Sequence, residues 1–306
     1  MARPGSLVAR GGLLLVVGAM TVSFVVGRGL ARRFETEPAP PPAPWSAETR
    51  YVATRSGRTH VLDVGRGDVV LLTHGSGRSV ADWQEGLAAA LSTPLRVVAF
   101  DNYGFGLSDR RHGLRYGNAL WAEQAIDVLD ALDIDRAVVV GHSAGGVVAA
   151  TLAADRPDRI RGAVFLGHAM ALDPVQALPL VPGVGEVLIG RMDVFGDTFS
   201  ESHRRRQLAA YRIRGTRAAL LTFIRRQYTI DGLRLVAGTY EDIGVPVLRI
   251  HGARDASIPI EAARALGDRL RDQRLVELDG VGHDVHVAAA GRVADEIGRF
   301  VAALDD

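Results

Sequence analysis

Two residue types are missing from the chain, and acidic residues are missing from its start. The 306 residues include no Cys, which excludes a disulfide scaffold and a thiolate metal site. They also include no Lys, so Arg supplies every permanent positive side chain. Residues 1–33 hold five of the 36 Arg and none of the 35 acids, which leaves a net charge of −4 on the remainder. Because nucleic-acid binding needs a basic face, we expect no nucleic-acid partner.

Charged residues are also missing from residues 11–27, a run of 17 flanked by Arg10 and Arg28. This length is near the lower limit for a helix that crosses a bilayer, and it exceeds the apolar core of most signal peptides. We therefore predict membrane association through residues 11–27, with residues 1–33 as one N-terminal anchor and the domain after it extracytoplasmic. Small residues at positions 29 and 31 leave a cleaved signal and a secreted protein as the alternative.

The rest of the chain alternates short apolar runs with amphipathic stretches. Residues 34–49 are rich in Pro and indicate an extended linker. The predicted strands are 50–54, 59–64, 69–73, 96–100, 137–140, 162–166, 246–250 and 274–278. The predicted helices are 79–91, 120–132, 144–154, 260–271 and 292–304. This alternation predicts an α/β core in residues 50–170 and 241–306, with an initial antiparallel pair and then a mostly parallel sheet flanked by helices.

Residues 171–240 interrupt the alternation, because ordinary connections between a helix and a strand are only a few residues long. Within this stretch Leu220, Phe223 and Ile224 follow helical spacing, and residues 184–189 indicate another short helix. Its ten Arg and six acids give it a net charge of +4. We predict a helical cap over the sheet, whose arginines either attract an anionic substrate or membrane surface or merely solvate the outer face.

The strongest motif is GHSAGG at residues 141–146. A β-branched run precedes it and an Ala/Val-rich helix follows it, so we expect Ser143 on a tight turn with its Oγ above the sheet. Gly141 and Gly145 fit this turn because a side chain at either position would collide with neighbouring backbone. The start of the helix also favours negative charge on a reacting oxygen. The motif therefore predicts Ser143 as a nucleophile.

The strand, the GHSAGG turn and the helix resemble the α/β-hydrolase superfamily, and further motifs follow in that family's order. LTHGSG at residues 72–77 resembles the loop after the third strand. The resemblance implies an oxyanion hole made by the backbone N–H groups of Ser76 and Ala144. DNYGFGLSD at residues 101–109 resembles the loop after the fourth strand, and we expect a structural role for it and for His74.

Ser143 needs a base to remove its proton and a third group to hold that base. Asp255 lies in the loop after the strand predicted at residues 246–250, where the family places its acid. His283 ends a GVGH sequence that matches the family's histidine motif, and the order Ser, Asp, His is the one this fold uses. Two alternatives remain at this point: Asp255 can instead cap the next helix, and His286 is a rival base.

The predicted chemistry is acyl transfer in two steps, for which we expect no metal and no cofactor. The apolar positions of the cap favour a small-molecule carboxylic ester with an apolar acyl or alcohol part. A carbon–carbon bond hydrolase of the same fold is an alternative, although its members usually have Trp after the catalytic His, where this chain has Asp284. A catalytically silent binding protein is the other alternative, and it would not react with a fluorophosphonate.

Overall fold

The computed structural model describes residues 5–41, 43, 46–84, 86–111, 113–169, 179–182, 184–191 and 199–304. The strands are β1 (Thr49–Thr54), β2 (Gly57–Gly65), β3 (Val69–Thr73), β4 (Arg96–Phe100), β5 (Ala137–His142), β6 (Ile160–Leu166), β7 (Val247–Gly252) and β8 (Gln273–Leu278). The helices of the core are α2 (Ala81–Gln84), α3 (Leu87–Leu91), α4 (Asn118–Ala131), α5 (Gly145–Asp155), α10 (Ile260–Leu266), α11 (Val285–Ala288) and α12 (Ala290–Ala302).

The eight strands form one sheet in the order β1-β2-β4-β3-β5-β6-β7-β8. β2 pairs antiparallel with β1 and β4, and every other pairing is parallel. All residues of β5 and β7 are buried, because a parallel strand covered on both faces has no solvent side. This explains the apolar run at residues 137–140, whereas β7 also buries the polar side chains of Arg249 and His251. The predicted α/β fold with an initial antiparallel pair is therefore confirmed.

Helices cover both faces of the sheet and bury two apolar cores. One core packs α4, α5 and α10 against the sheet, with Trp121 and Phe165 among its largest buried side chains. The other packs α3, α11 and α12 around Trp83 and Leu87. Burial of this extent is the main stabilising contribution to the fold. It also fixes the carboxyl ends of the parallel strands, where the predicted site lies.

Two predicted helices are shorter than expected. The helix predicted over residues 79–91 is two short helices, because Gly86 between them has a φ of 154° that no helix accepts. The helix predicted over residues 260–271 ends at Leu266 and continues as a 3-10 turn at Gly267–Arg269. A side chain at Gly267 would collide with the buried guanidinium of Arg249, so this turn packs close to the sheet.

The described part of the predicted cap, residues 171–240, consists of α6 (Val184–Arg191), α7 (Glu201–Tyr211), α8 (Thr216–Gln227) and α9 (Ile230–Glu241). Residues 171–178, 183 and 192–198 of that prediction lie outside the described residues. Leu220, Phe223 and Ile224 are buried on one side of α8, as their spacing predicted. Helices therefore account for most of the cap residues that the structure describes.

An N-terminal helix, α1 (Gly5–Phe34), contains the predicted anchor at residues 11–27. The side chains of residues 11–19 lie outside what the structure describes. Within the described residues, no helix combines the length and the apolar character needed to cross a membrane. The prediction of a membrane-spanning segment is thus unsupported. Beyond α1, Glu37 in the predicted linker forms a parallel bridge with Ile213 of the cap.

Candidate active site

Ser143 lies in the turn between the end of β5 at His142 and the start of α5 at Gly145. Its φ of 52° places a non-glycine residue in the left-handed region, a strain that recurs at functional sites. A Cβ on Gly141 would lie 2.2 Å from the Gly145 carbonyl oxygen, and one on Gly145 would lie 2.3 Å from the Thr73 carbonyl oxygen. The two glycines are therefore required by close backbone contacts, as the motif predicted.

The loop after β3 packs directly against this turn. A Cβ built on Gly75 would lie 3.3 Å from the Ser143 Cβ. Within the described residues, neither the Ser76 N–H nor the Ala144 N–H donates to a protein acceptor. α5 begins directly after Ala144, so its N-terminal partial positive charge lies at the same place. The two predicted donors therefore have no competing protein acceptor, which an oxyanion hole requires.

The predicted acid and base are in contact. The Nδ1 of His283 lies 2.8 Å from Oδ2 of Asp255. The other carboxylate oxygen, Oδ1, accepts the N–H groups of Ser257 and Ile258, both at 2.8 Å. Asp255 thus organises the turn that precedes α10 and holds His283 at the same time. Asp255 does not cap α10 itself, because the N-cap of that helix is Pro259, which has no side-chain cap bond.

The electrostatics of Asp255 suit a residue that stabilises a charged imidazole. Burial alone would raise the pKa of its carboxyl group. Hydrogen bonds from His251 and His283, the charge of His283 and the Ile258 N–H outweigh burial and hold the pKa well below its usual range. The carboxylate therefore stays ionised when His283 becomes positive during proton transfer.

Ser143 and His283 are not joined by a hydrogen bond among the described residues, although both lie at the carboxyl edge of the sheet. Gly167, which follows β6, packs against the His283 loop, since a Cβ there would lie 2.6 Å from the His283 carbonyl oxygen. Unliganded sites often have a long serine–histidine contact that shortens when substrate binds. The structure thus pairs the acid with the base and leaves Ser143 half-buried beside them.

His286, the rival base, is fully buried in α11. Its ring packs against Trp83 at 4.8 Å and against His142 at 4.2 Å between centroids. Burial lowers the pKa of His286 to about 4. Asp255 contacts His251 and His283 instead. This environment suits a packing residue better than a base.

The predicted structural residues have structural contacts. His74 Nδ1 lies 2.8 Å from the Gly75 carbonyl oxygen, and its Nε2 accepts the Asn102 N–H at 3.0 Å. The Asp101 carboxylate accepts backbone N–H groups at 2.6 Å from Val80 and Leu107. These bonds join the loops after β3 and β4 beside Ser143, which agrees with the role expected for both.

Arg78 is a site residue that the sequence reasoning missed. It follows the oxyanion loop, is buried, and donates to an Asp284 oxygen at 3.1 Å. Its Nε lies 3.8 Å from the buried carboxylate of Asp82. Because Asp284 directly follows His283, Arg78 connects the oxyanion loop to the loop of the base. The sequence offered one signal, a carboxylate in place of the Trp expected after the histidine, but it did not identify Arg78 as the partner of that carboxylate.

The cap joins the same charged network. Gln207 of α7 donates to Asp82, accepts from the Ser79 hydroxyl at 2.9 Å, and lies one turn from His203. His203 Nε2 lies 3.0 Å from the same Asp82 oxygen. Burial would raise the pKa of Asp82, but Arg78 and the His203 hydrogen bond outweigh it and lower the pKa. The network therefore connects the cap to both loops that surround Ser143.

His142, Asp284 and His286 are the described residues that approach a metal-ligand arrangement, with donor atoms within 4.8 Å of one another. Tetrahedral Zn²⁺ with nitrogen and oxygen ligands brings donor atoms to about 3.3 Å apart. A cation there would also lie beside the Arg78 guanidinium that already pairs with Asp284. We therefore assign the positive charge at this position to Arg78.

The chain belongs to the α/β-hydrolase family. The sequence profile of the alpha/beta hydrolase fold matches residues 68–191. The chain is similar to the 2-hydroxymuconate semialdehyde hydrolase of Pseudomonas sp. strain CF600, at 31% identity over 84% of this chain and 94% of that protein. It is also similar to the 2-hydroxy-6-oxo-2,4-heptadienoate hydrolase of Pseudomonas putida, at 31% identity over 84% of this chain and 97% of that protein.

Solved structures show the same fold. A meta-cleavage product hydrolase from Pseudomonas fluorescens IP01 has a TM-score of 0.68 to this chain at 24% identity, with 84% of this chain and 98% of that chain covered. The family that the motifs resembled is thus confirmed, and the chain is a hydrolase of this fold.

Proposed function

We propose that the chain is a serine hydrolase that cleaves a carbon–carbon bond beside an aldehyde or ketone carbonyl in an unsaturated oxo acid. The supporting observation is the similarity to two hydrolases, each along 84% of this chain, whose names specify a semialdehyde and an oxo-dienoate. Hydrolysis of such compounds breaks a carbon–carbon bond. The relatives therefore favour the alternative to the carboxylic ester that we expected first.

The proposed reaction uses the groups at the carboxyl edge of the sheet. Ser143 Oγ attacks the carbonyl carbon while His283 takes its proton, and the N–H groups of Ser76 and Ala144 bind the oxyanion. The carbon–carbon bond breaks in the keto tautomer of the substrate, where the leaving carbon is saturated. Its electron pair then enters the conjugated oxo acid as a dienolate, and His283 returns its proton to that dienolate. Water repeats the attack and releases the acyl group as a carboxylic acid. Asp255 stabilises the positive imidazole in both steps.

Hydrolysis of an ester is the second candidate, and Asp284 favours it. The carbon–carbon hydrolases of this fold usually have Trp at that position, whereas here a carboxylate pairs with Arg78 at 3.1 Å. Hydrolysis of an ester needs less stabilisation of the leaving group, because an alkoxide leaves more readily than a carbon anion. The same serine, oxyanion donors and acid–base pair would perform both reactions.

The test compares the two substrates with one protein and one variant. Wild-type protein is expected to hydrolyse 2-hydroxymuconate semialdehyde with a higher kcat/KM than p-nitrophenyl butyrate. Ser143→Ala should lower both values by about 10³-fold or more, and Ser202→Ala on the exposed side of the cap should lower neither.

Each other outcome has a defined meaning. Ester turnover without turnover of the oxo acid supports the second candidate. Near wild-type rates in Ser143→Ala remove both candidates. A protein that hydrolyses neither compound and does not react with a fluorophosphonate is a binding protein with an unactivated serine.

A further inference from the structure

The described part of α1 packs against the cap through small residues. Ser23, Gly27 and Ala31 are spaced by four residues and so lie on one face of the helix. Gly27 is buried against α6, where a Cβ would lie 2.4 Å from the backbone carbonyl carbon of Glu186. Met20 and Leu30 are half-buried on the same side of the helix, so the face of α1 that meets the protein combines small residues with two larger apolar ones.

The opposite face of α1 exposes large apolar side chains. Val22 and Val25 are each 63% exposed, and Val26 is 47% exposed. On α6, which packs against α1, Val184 and Leu188 are each 39% exposed. A helix on the surface of a globular protein normally turns its large apolar residues inward. Grouped exposed apolar residues mark a surface that contacts something else.

The charges beside this surface favour one kind of partner. Arg28, Arg32 and Arg33 are exposed at the C-terminal end of α1, and no acidic residue occurs in that helix. Aliphatic side chains next to unopposed arginines suit the boundary of a bilayer, where acyl chains lie beneath anionic headgroups. Self-association would bury the valines, but it would leave the arginines without an opposite charge.

Hydrogen bonds hold the chain after α1 against the cap. The buried Glu35 carboxylate accepts the N–H groups of Gly215 at 2.9 Å and Arg217 at 2.8 Å, at the start of α8. The Glu37 backbone donates to the Arg212 carbonyl oxygen at 2.9 Å and accepts the Arg214 N–H at 2.8 Å. A partner bound to α1 would therefore have a fixed position relative to the cap.

We propose that Val22, Val25, Val26, Val184 and Leu188 form a docking face that binds the surface of an anionic lipid bilayer. Arg28, Arg32 and Arg33 contact the headgroups, while the aliphatic side chains enter the acyl boundary. The docking face lies on the cap side of the molecule, because Glu35 and Glu37 join α1 to α8 and α7.

The test measures sedimentation of the full chain with vesicles of phosphatidylcholine, with and without phosphatidylglycerol. Wild-type protein should bind better when phosphatidylglycerol is present and should dissociate in high salt. The double variant Val22→Asp, Val25→Asp should bind at least tenfold more weakly. Replacing Arg28, Arg32 and Arg33 by Gln should weaken binding by about fivefold for each residue. Thermal unfolding of each variant verifies the fold.

Leu235→Asp is the matched control, since Leu235 is 76% exposed on α9, away from α1, and its change should leave vesicle binding unchanged. Equal binding by wild type and the Val22→Asp, Val25→Asp variant would overturn the proposal, as would equal binding to vesicles with and without phosphatidylglycerol. If light scattering shows a wild-type dimer that this variant breaks, a second copy of the chain occupies the docking face and the lipid proposal is wrong.

Discussion

The core and the cap hold their functional side chains in different ways. In the core, Ser143 directly follows β5 and Asp255 lies three residues after the end of β7, and backbone contacts orient both. The cap meets the core through side chains, both by polar bonds such as Gln207 to Asp82 and by apolar packing such as Phe223 against Trp121 at 4.8 Å between ring centroids. The chemistry thus depends on backbone positions that tolerate little change. No cap side chain belongs to the predicted triad, so changes at the polar contacts of the cap should affect substrate binding before catalysis.

The largest effect is expected at the acid of the core. Asp255→Asn keeps an oxygen for the Ser257 and Ile258 N–H groups but removes the charge that stabilises protonated His283. We expect kcat to fall by about 10³- to 10⁴-fold, with little change in Tm. Asp279→Asn, on the exposed turn after β8, is the control and should have no effect. A loss of Tm as large as the loss of activity would mean that Asp255 acts mainly on the turn.

The next largest loss of activity is expected at Arg78, where the core and the cap meet. Arg78→Gln should lower kcat about 10- to 100-fold and change KM less, because the loops of Ser76 and His283 lose their common partner Asp284. The rate of fluorophosphonate labelling should fall in parallel, and Arg78→Lys should restore part of it. Arg254→Gln, an exposed residue in the Asp255 loop, should change neither rate. An unchanged labelling rate would leave Arg78 with a purely structural role.

A smaller effect is expected at the contact between α9 and the core. Tyr240→Phe removes the hydroxyl that lies 2.6 Å from His168 Nε2. The free energy of unfolding should decrease by about 1 kcal/mol, and KM should change more than kcat. Tyr51→Phe is the comparison, since its hydroxyl donates to the Pro41 carbonyl oxygen at 2.8 Å outside the cap. A similar KM change in both variants would contradict the distinction between core and cap.

The smallest effect concerns the pH dependence of stability. Burial lowers the pKa of His286 to about 4, below the ordinary value of 6.5, so the unfolded chain binds a proton that the folded chain does not bind between these values. This contribution to stability is complete above pH 6.5 and is lost as the pH falls towards 4. His286→Phe should reduce the slope of unfolding free energy against pH in this window by at most about 1.4 kcal/mol per unit. An unchanged slope would show that His286 is not buried as a neutral ring.

Patterns within short stretches of sequence predicted the core and the positions of the site. The elbow at Ser143 needs glycines at two nearby positions, and a buried parallel strand favours a mostly apolar run, so neighbouring residues are enough to predict both. Helix ends were predicted less well at Gly86 and Gly267, where single glycines end a pattern that the apolar spacing alone would continue. The substrate was predicted least well, because a pocket is formed by segments far apart in the chain.

The sequence by itself determined the family, the sheet and the chain order of Ser143, Asp255 and His283, because each depends on local spacing and backbone geometry. Only the tertiary structure decided that Arg78 pairs with Asp284, 206 positions away, and that Glu35 caps α8 through Gly215, 180 positions away. Charged side chains with no periodic pattern give no indication of their partners. The packing of the sheet and the cap determines these partners, because it brings distant loops to the carboxyl edge of the sheet.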